Sequence, residues 1–122
     1  MDGVSRAACL GPAGSYSELA ARTLCPHASV ALCPTFPAVF DALASGRADG
    51  AVIPIENSIQ GGVLQNLDLL ETRDACAVAE IRLRIDHRLA CRKGVRLSDI
   101  VRVYSHEQAI GQCSRFLDET LP

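Results

Sequence analysis

The stretch Pro54-Ile55-Glu56-Asn57-Ser58-Ile59-Gln60-Gly61-Gly62 decides how the chain reads. The apolar run Gly50-Ala51-Val52-Ile53 leads into it, and the amphipathic segment Val63 to Leu70 leads out. A short apolar run followed by a segment of helical period predicts a buried strand, a polar junction and a helix. In open α/β sheets, ligands bind outside the carboxyl ends of strands. A Glu-Asn-Ser triplet at such a junction offers acceptors, amide donors and a hydroxyl. Gly61 and Gly62 would let backbone approach a ligand closely. The stretch can equally be a polar turn with a glycine hinge.

Upstream, the same pattern occurs twice. Ala7-Ala8-Cys9-Leu10 predicts a strand, Gly11-Pro12-Ala13-Gly14 a turn, and Ser15-Tyr16-Ser17-Glu18 a capping box opening a helix. Ser15 can cap that helix only, or cap it and still donate its proton to a ligand. Ala28 to Cys33 predicts a second strand. Pro34-Thr35 opens a helix whose stripe Phe36, Val39, Phe40, Leu43 and Ala44 marks a core face, and Ser45-Gly46 ends it. The order βαβαβα argues for a parallel sheet with covering helices.

Downstream, Ile81, Leu83 and Ile85 alternate with Arg82, Arg84 and Asp86, which predicts a strand within Ala75 to Ile85, extended on through Cys91. Leu97 to Ile100 reads as a helical turn and Val101 to Tyr104 as another strand. Ser105-His106-Glu107-Gln108 matches the capping box again, before one amphipathic helix carrying Ala109, Ile110, Cys113, Phe116 and Leu117.

Composition bounds the partners. The chain has 122 residues, 48% of them hydrophobic, with 12 basic and 14 acidic side chains and a net charge of −2. That balance disfavours nucleic acid. No apolar run approaches the ~18 residues of a membrane span. Met1-Asp2-Gly3 lacks a basic-then-apolar pattern, so a cytoplasmic chain is expected. The six cysteines form no CxxC pair, which argues for buried reduced thiols rather than a metal site.

Ser15, Glu56-Asn57-Ser58 and Ser105-His106 therefore share a position, after an apolar run and before a helix. Helix N-termini favour anions, and with no Lys or Arg in these clusters, amides and hydroxyls would carry recognition. Gln108 and Gln112 fall on Ser105's side of the last helix. His106 can exchange protons near neutrality or simply bond backbone. His87 can line a cleft or pack beneath one. His27 lies in a loop. Glu56 can instead pair with an arginine.

Taken in order, the motifs resemble those of prephenate dehydratases. Leu10-Gly11-Pro12-Ala13-Gly14-Ser15-Tyr16-Ser17 is similar to the family's opening motif. Pro54-Ile55-Glu56-Asn57-Ser58 with Gly61 and Leu67-Asp68-Leu69-Leu70 is similar to its central one. Ile85 with His87-Arg88-Leu89, and Val103-Tyr104-Ser105-His106 with Gln108-Ala109 and Gln112-Cys113, resemble its second-lobe motifs. The resemblance implies a two-lobed α/β domain like the type II periplasmic binding proteins, with substrate between the lobes. Residues 1–80 would be the first lobe and 81–122 the start of an incomplete second, with no ACT domain. It implies conversion of prephenate to phenylpyruvate in phenylalanine synthesis, without metal or organic cofactor. It assigns activity to Asn57, Ser105 and Gln112, and substrate contact to Ser15, Glu56, Ser58, His106 and Gln108. It implies dimers or higher oligomers.

The departures are specific. The family's Thr-Arg-Phe motif, whose Thr is held essential, is absent, and Thr72-Arg73-Asp74 stands elsewhere. Ser15 and Asn66 replace the usual Thr, and Arg88 the usual Cys. A partial chain of low or no activity alone is the expectation. Arogenate dehydratase and a non-catalytic small-anion binding module are the alternatives.

Overall fold

Three short parallel strands form the sheet, and only the central one is buried along most of its length. In the computed structural model, which describes residues 3–57 and 61–121, β1 (Arg6–Leu10) is central, flanked by β2 (Ser29–Cys33) and β3 (Gly50–Val52). Both neighbours run parallel to it, with Cys9 opposite Leu32 on one side and Val52 on the other. Ala7, Ala8 and Cys9 are fully buried. An unbroken run of small apolar residues is what a strand covered on both faces requires.

Alternate residues feed two core layers. Helix α2 (Phe36–Ala44) brings Val39 and Ala42 onto Ala8 and Ala48, with Cys33, Ala51 and Ile53 packed around them. Helix α1 (Tyr16–Leu24) brings Ala20 and Ala21 onto Cys9 and Val52 on the other face. Thr35 caps α2, its hydroxyl accepting from the Ala38 N–H at 3.3 Å. Gly46, at φ +69°, follows that helix in the left-handed conformation that suits glycine. Helix α3 (Leu64–Thr72) is tied to α2 by Arg73 and Asp41, 3.0 Å apart.

Contacts divide the chain into two compact units, Met1–Arg84 and Ile85–Pro122. The second holds a 3-10 turn (Leu97–Asp99) and helices α4 (Glu107–Gln112) and α5 (Ser114–Thr120). No helix among the described residues is long and apolar enough to cross a membrane.

Four expectations are corrected. The Ala75 to Ile85 stretch forms no strand. Its alternation is nonetheless realised: Ile81 and Leu83 pack against the Cys9–Val52 layer while Arg82 and Arg84 stay exposed. A period of two selects which side chains are buried, but a strand also needs a backbone ladder, and among the described residues this stretch forms none. Val101 to Tyr104 likewise pairs with nothing, and Val101 and Tyr104 stand 89% and 83% exposed. The last helix is two, broken at Cys113, whose N–H is shared between the Ala109 and Ile110 carbonyls. Gly111, just before the break, weakens helix continuation. Only Cys9 and Cys25 are buried; Cys33 and Cys113 are half-buried, and Cys76 and Cys91 are exposed.

Candidate functional site

The carboxyl ends of β1 and β3 lie side by side, so the two polar clusters that follow them share one sheet edge. After β3 the chain turns through Pro54 and Ile55 into a hairpin that sequence alone does not predict. Strand β4 (Glu56–Asn57) pairs antiparallel with β5 (Gly61–Gly62), Glu56 opposite Gly62 and Asn57 opposite Gly61. The Val63 N–H closes its base on the Ile55 carbonyl at 2.9 Å. Glu56 is exposed and Asn57 half-buried, and among the described residues no cation pairs with Glu56. Ser58 lies outside the described residues.

Asn66 anchors this hairpin from below. It is fully buried in the first turn of α3, and its Nδ2 donates to the Pro54 carbonyl at 2.7 Å. That carbonyl only accepts, so the amide orientation is fixed and Oδ1 points elsewhere, without a partner among the described residues. Val63 caps α3 without a side-chain hydrogen bond. Sequence reading marks Asn66 only as a departure from the family pattern. Its polarity inside an apolar helix face was the available signal.

Ser15 caps α1 as expected, its Oγ accepting from the Glu18 N–H at 3.2 Å. Its proton goes to the Leu10 carbonyl at 3.3 Å. The return arm of the capping box lands one residue early: Glu18 Oε2 accepts from the Gly14 N–H at 2.7 Å, not from Ser15. Gly14 can aim that amide because it sits at φ +81°. Glu18 also holds Arg22 at 2.7 Å. An anion-favouring helix start is thus already filled by the protein's own carboxylate.

The Gly14 amide, then Arg22, hold the Glu18 carboxyl below its ordinary range, and Arg6 does the same for Asp49. Burial, then Glu18 and Cys33, push the Cys9 thiol up, so it stays protonated. Folded carboxylates that bind protons less tightly than unfolded ones contribute stability above the unfolded pKa and lose it as pH falls through the folded value. The urea midpoint is therefore expected to hold from neutral pH to the ordinary carboxylate range, then drop in stronger acid. Glu18→Gln should shrink that drop.

In the second unit, the structure places the cap one residue later than the motif suggests. His106, not Ser105, caps α4, its Nδ1 accepting from the Gln108 N–H at 3.3 Å. Ser105 precedes the cap and is exposed, so it does not share a helix face with Gln108 and Gln112. Those two stand four apart on α4, Gln108 exposed and Gln112 half-buried. His87 meets Gln112, Nε2 to Oε1, at 2.8 Å. Twenty-five positions separate the two, and no local spacing rule could have joined them. Among the described residues, no group of three or more His, Cys, Asp or Glu side chains could hold a metal ion.

Comparison with known proteins carries the argument from geometry to family. The chain is 42% identical over 118 residues to the bifunctional chorismate mutase/prephenate dehydratase of Escherichia coli K12, covering 93% of this chain and 31% of that protein. It is 40% identical over 112 residues to arogenate dehydratase 2 of Petunia hybrida, covering 92% of this chain and 28% of that one. The chain thus spans about three tenths of these relatives. Among solved structures, it resembles prephenate dehydratase in complex with L-Phe from Arthrobacter aurescens, with TM-score 0.74 and 34% identity over 96% of this chain and 40% of that one. The α/β fold with its parallel sheet is the periplasmic-binding-protein-like (type II) fold of those enzymes. The family model described as prephenate dehydratase matches residues 7–122, and with the motifs standing at these sheet and helix ends, the chain belongs to the prephenate dehydratase family.

Proposed function

We propose that the chain serves the decarboxylative dehydration of prephenate to phenylpyruvate in L-phenylalanine biosynthesis. The family match over residues 7–122, which takes in every polar cluster described above, carries this reading. In the reaction, the bond from the ring to its carboxylate breaks, and the electron pair enters the ring as carbon dioxide leaves. The ring hydroxyl departs with a proton as water, and the ring becomes aromatic. The protein's share is to hold a dianion and to donate a proton or hydrogen bond to the leaving hydroxyl. Asn57, Ser105 and Gln112 are the groups we assign to that centre. Glu56, Ser58, His106 and Gln108 are the substrate contacts, and Ser15 joins them by turning its hydroxyl from the Leu10 carbonyl to the ligand. Residues 1–80 and 81–122 belong, in this reading, to the first lobe and the start of the second, and the chain associates as a dimer or higher oligomer.

Arogenate is the second substrate reading. The near-equal identities to a bacterial prephenate enzyme and a plant arogenate enzyme favour it as a direct competitor in the test.

Prephenate titrated into the full chain by calorimetry is expected to bind saturably, more tightly than arogenate. Asn57→Ala should weaken binding by roughly 10- to 100-fold, the worth of a hydrogen bond to a charged group. Phenylpyruvate should form at close to the spontaneous rate, because the Thr-Arg-Phe motif is not among these residues. Tighter arogenate binding would transfer the reading to that substrate. Prephenate binding untouched by Asn57→Ala would remove the central stretch from the site.

A further inference from the structure

We propose that His87 is a positioning residue that fixes the donor–acceptor polarity of the Gln112 side chain. A glutamine amide can present either its carbonyl oxygen or its NH2 group, and the two are exchanged by a simple flip about the last torsion. What decides is the neighbour. In this structure Gln112 Oε1 faces His87 Nε2 at 2.8 Å. Two acceptors do not face each other at that distance, so this arrangement requires the tautomer with hydrogen on Nε2, which then donates. The Gln112 NH2 group is thereby turned away from His87, with its two N–H bonds offered to whatever approaches α4.

The bond also spans the second unit. His87 sits in the 85–91 segment, which has no ladder to hold it, and Gln112 is the last residue of α4. At the start of α4, His106 uses its Nδ1 as the cap on the Gln108 N–H, and among the described residues no hydrogen bond joins it to Gln112. His87 reaches Gln112 from outside the helix.

The chemistry fits a ligand of one kind. Resting on the proposed function, the ligand is a dianion with a leaving hydroxyl, and it needs donors. None of the three polar clusters contains Lys or Arg, so an amide locked as a donor does work that an amide free to flip would do half the time. The opposite tautomer, with the hydrogen on Nδ1, would make Nε2 an acceptor, pull the Gln112 NH2 inward and present a carbonyl oxygen to the anion.

The test begins without ligand. In the 15N-labelled full chain, the long-range proton–nitrogen spectrum of the histidine rings reports which nitrogen of His87 is protonated, and the Gln112 NH2 pair is followed beside it. We expect hydrogen on Nε2, a Gln112 pair displaced in His87→Ala, and a largely restored position in His87→Gln, whose amide NH2 can stand where Nε2 stood. His87 is exposed and outside the core, and an unchanged backbone spectrum elsewhere confirms the fold. Hydrogen on Nδ1, or a Gln112 pair indifferent to His87→Ala, overturns the proposal. Prephenate is then titrated: His87→Ala should weaken binding by about three- to tenfold and His87→Gln by less than half of that on a logarithmic scale. Equal losses in both variants would also overturn it. If prephenate fails to bind the unaltered chain, the proposed function falls, while the tautomer and the Gln112 signal still decide the His87 assignment.

Discussion

Asn66→Asp is expected to destabilise the first unit by about 3–5 kcal/mol near neutral pH, the range for an uncompensated buried charge. The side chain is fully buried, and its Nδ2 donates to the Pro54 carbonyl at 2.7 Å. The substitution sets a carboxylate oxygen against a carbonyl oxygen and adds a charge with no cation beside it. Burial raises a carboxyl pKa, and the protonated form can again donate to Pro54. The folded pKa therefore lies above the unfolded one. The deficit is largest above the folded pKa and shrinks as pH falls toward the ordinary aspartate value. Urea midpoints at neutral pH and in mild acid check this, and an equal deficit at both would contradict it. Asn66→Leu is the control. It removes the donor, but it also removes Oδ1, which lacks a partner among the described residues. Its cost should be smaller, about 1–3 kcal/mol for the Pro54 carbonyl left unpaired. The amide exchange of residues 55–57 and 61–63 should accelerate in both variants, because the base of the β4–β5 hairpin loses its anchor.

Val39→Ala is expected to cost about 2 kcal/mol, between the ranges for removing one methylene and for truncating a leucine. Val39 is fully buried, and the neighbours on its face of the sheet are mainly Ala8, Ala42 and Ala48. Alanines have no side-chain torsion to turn into a gap, so the cavity stays open. For a unit of this size the melting temperature should fall by roughly 8–16 °C. A matched Val30→Ala, on a residue only half-buried in the opposite layer, should cost less. Thermal melts of both variants test the ranking, and equal losses would mean that the two faces are packed alike.

Where local chemistry dictates structure, the sequence was a sufficient guide. Ser15 and Thr35 announce their helices because a hydroxyl at an N-cap satisfies an amide only three residues on. Ala7-Ala8-Cys9 announces a buried strand because a strand covered on both faces carries a continuous apolar run, while its central place came from the tertiary structure. Those signals gave the parallel sheet, α1 and α2, and the placing of Ser15, Glu56 and Asn57 at one edge. They failed where the partner is remote. Ile81 and Leu83 alternate correctly yet join no ladder, and Val101 to Tyr104 has strand chemistry but nothing to pair with. The capping box predicted at Ser105 stands one residue later, since His106 offers a ring nitrogen to the same turn.

The sequence by itself determined the family, the sheet order's raw material and the inventory of polar groups, because each depends on residue type and near spacing. Tertiary structure decided what those groups are free to do. It spent the Ser15 proton on Leu10, set Glu18 on the Gly14 amide where an external anion would otherwise sit, buried Asn66 under Pro54, and joined His87 to Gln112. A hydrogen bond forms where two groups meet in space. Except for the short reach of a turn or a cap, the order of residues along the chain does not say where that is.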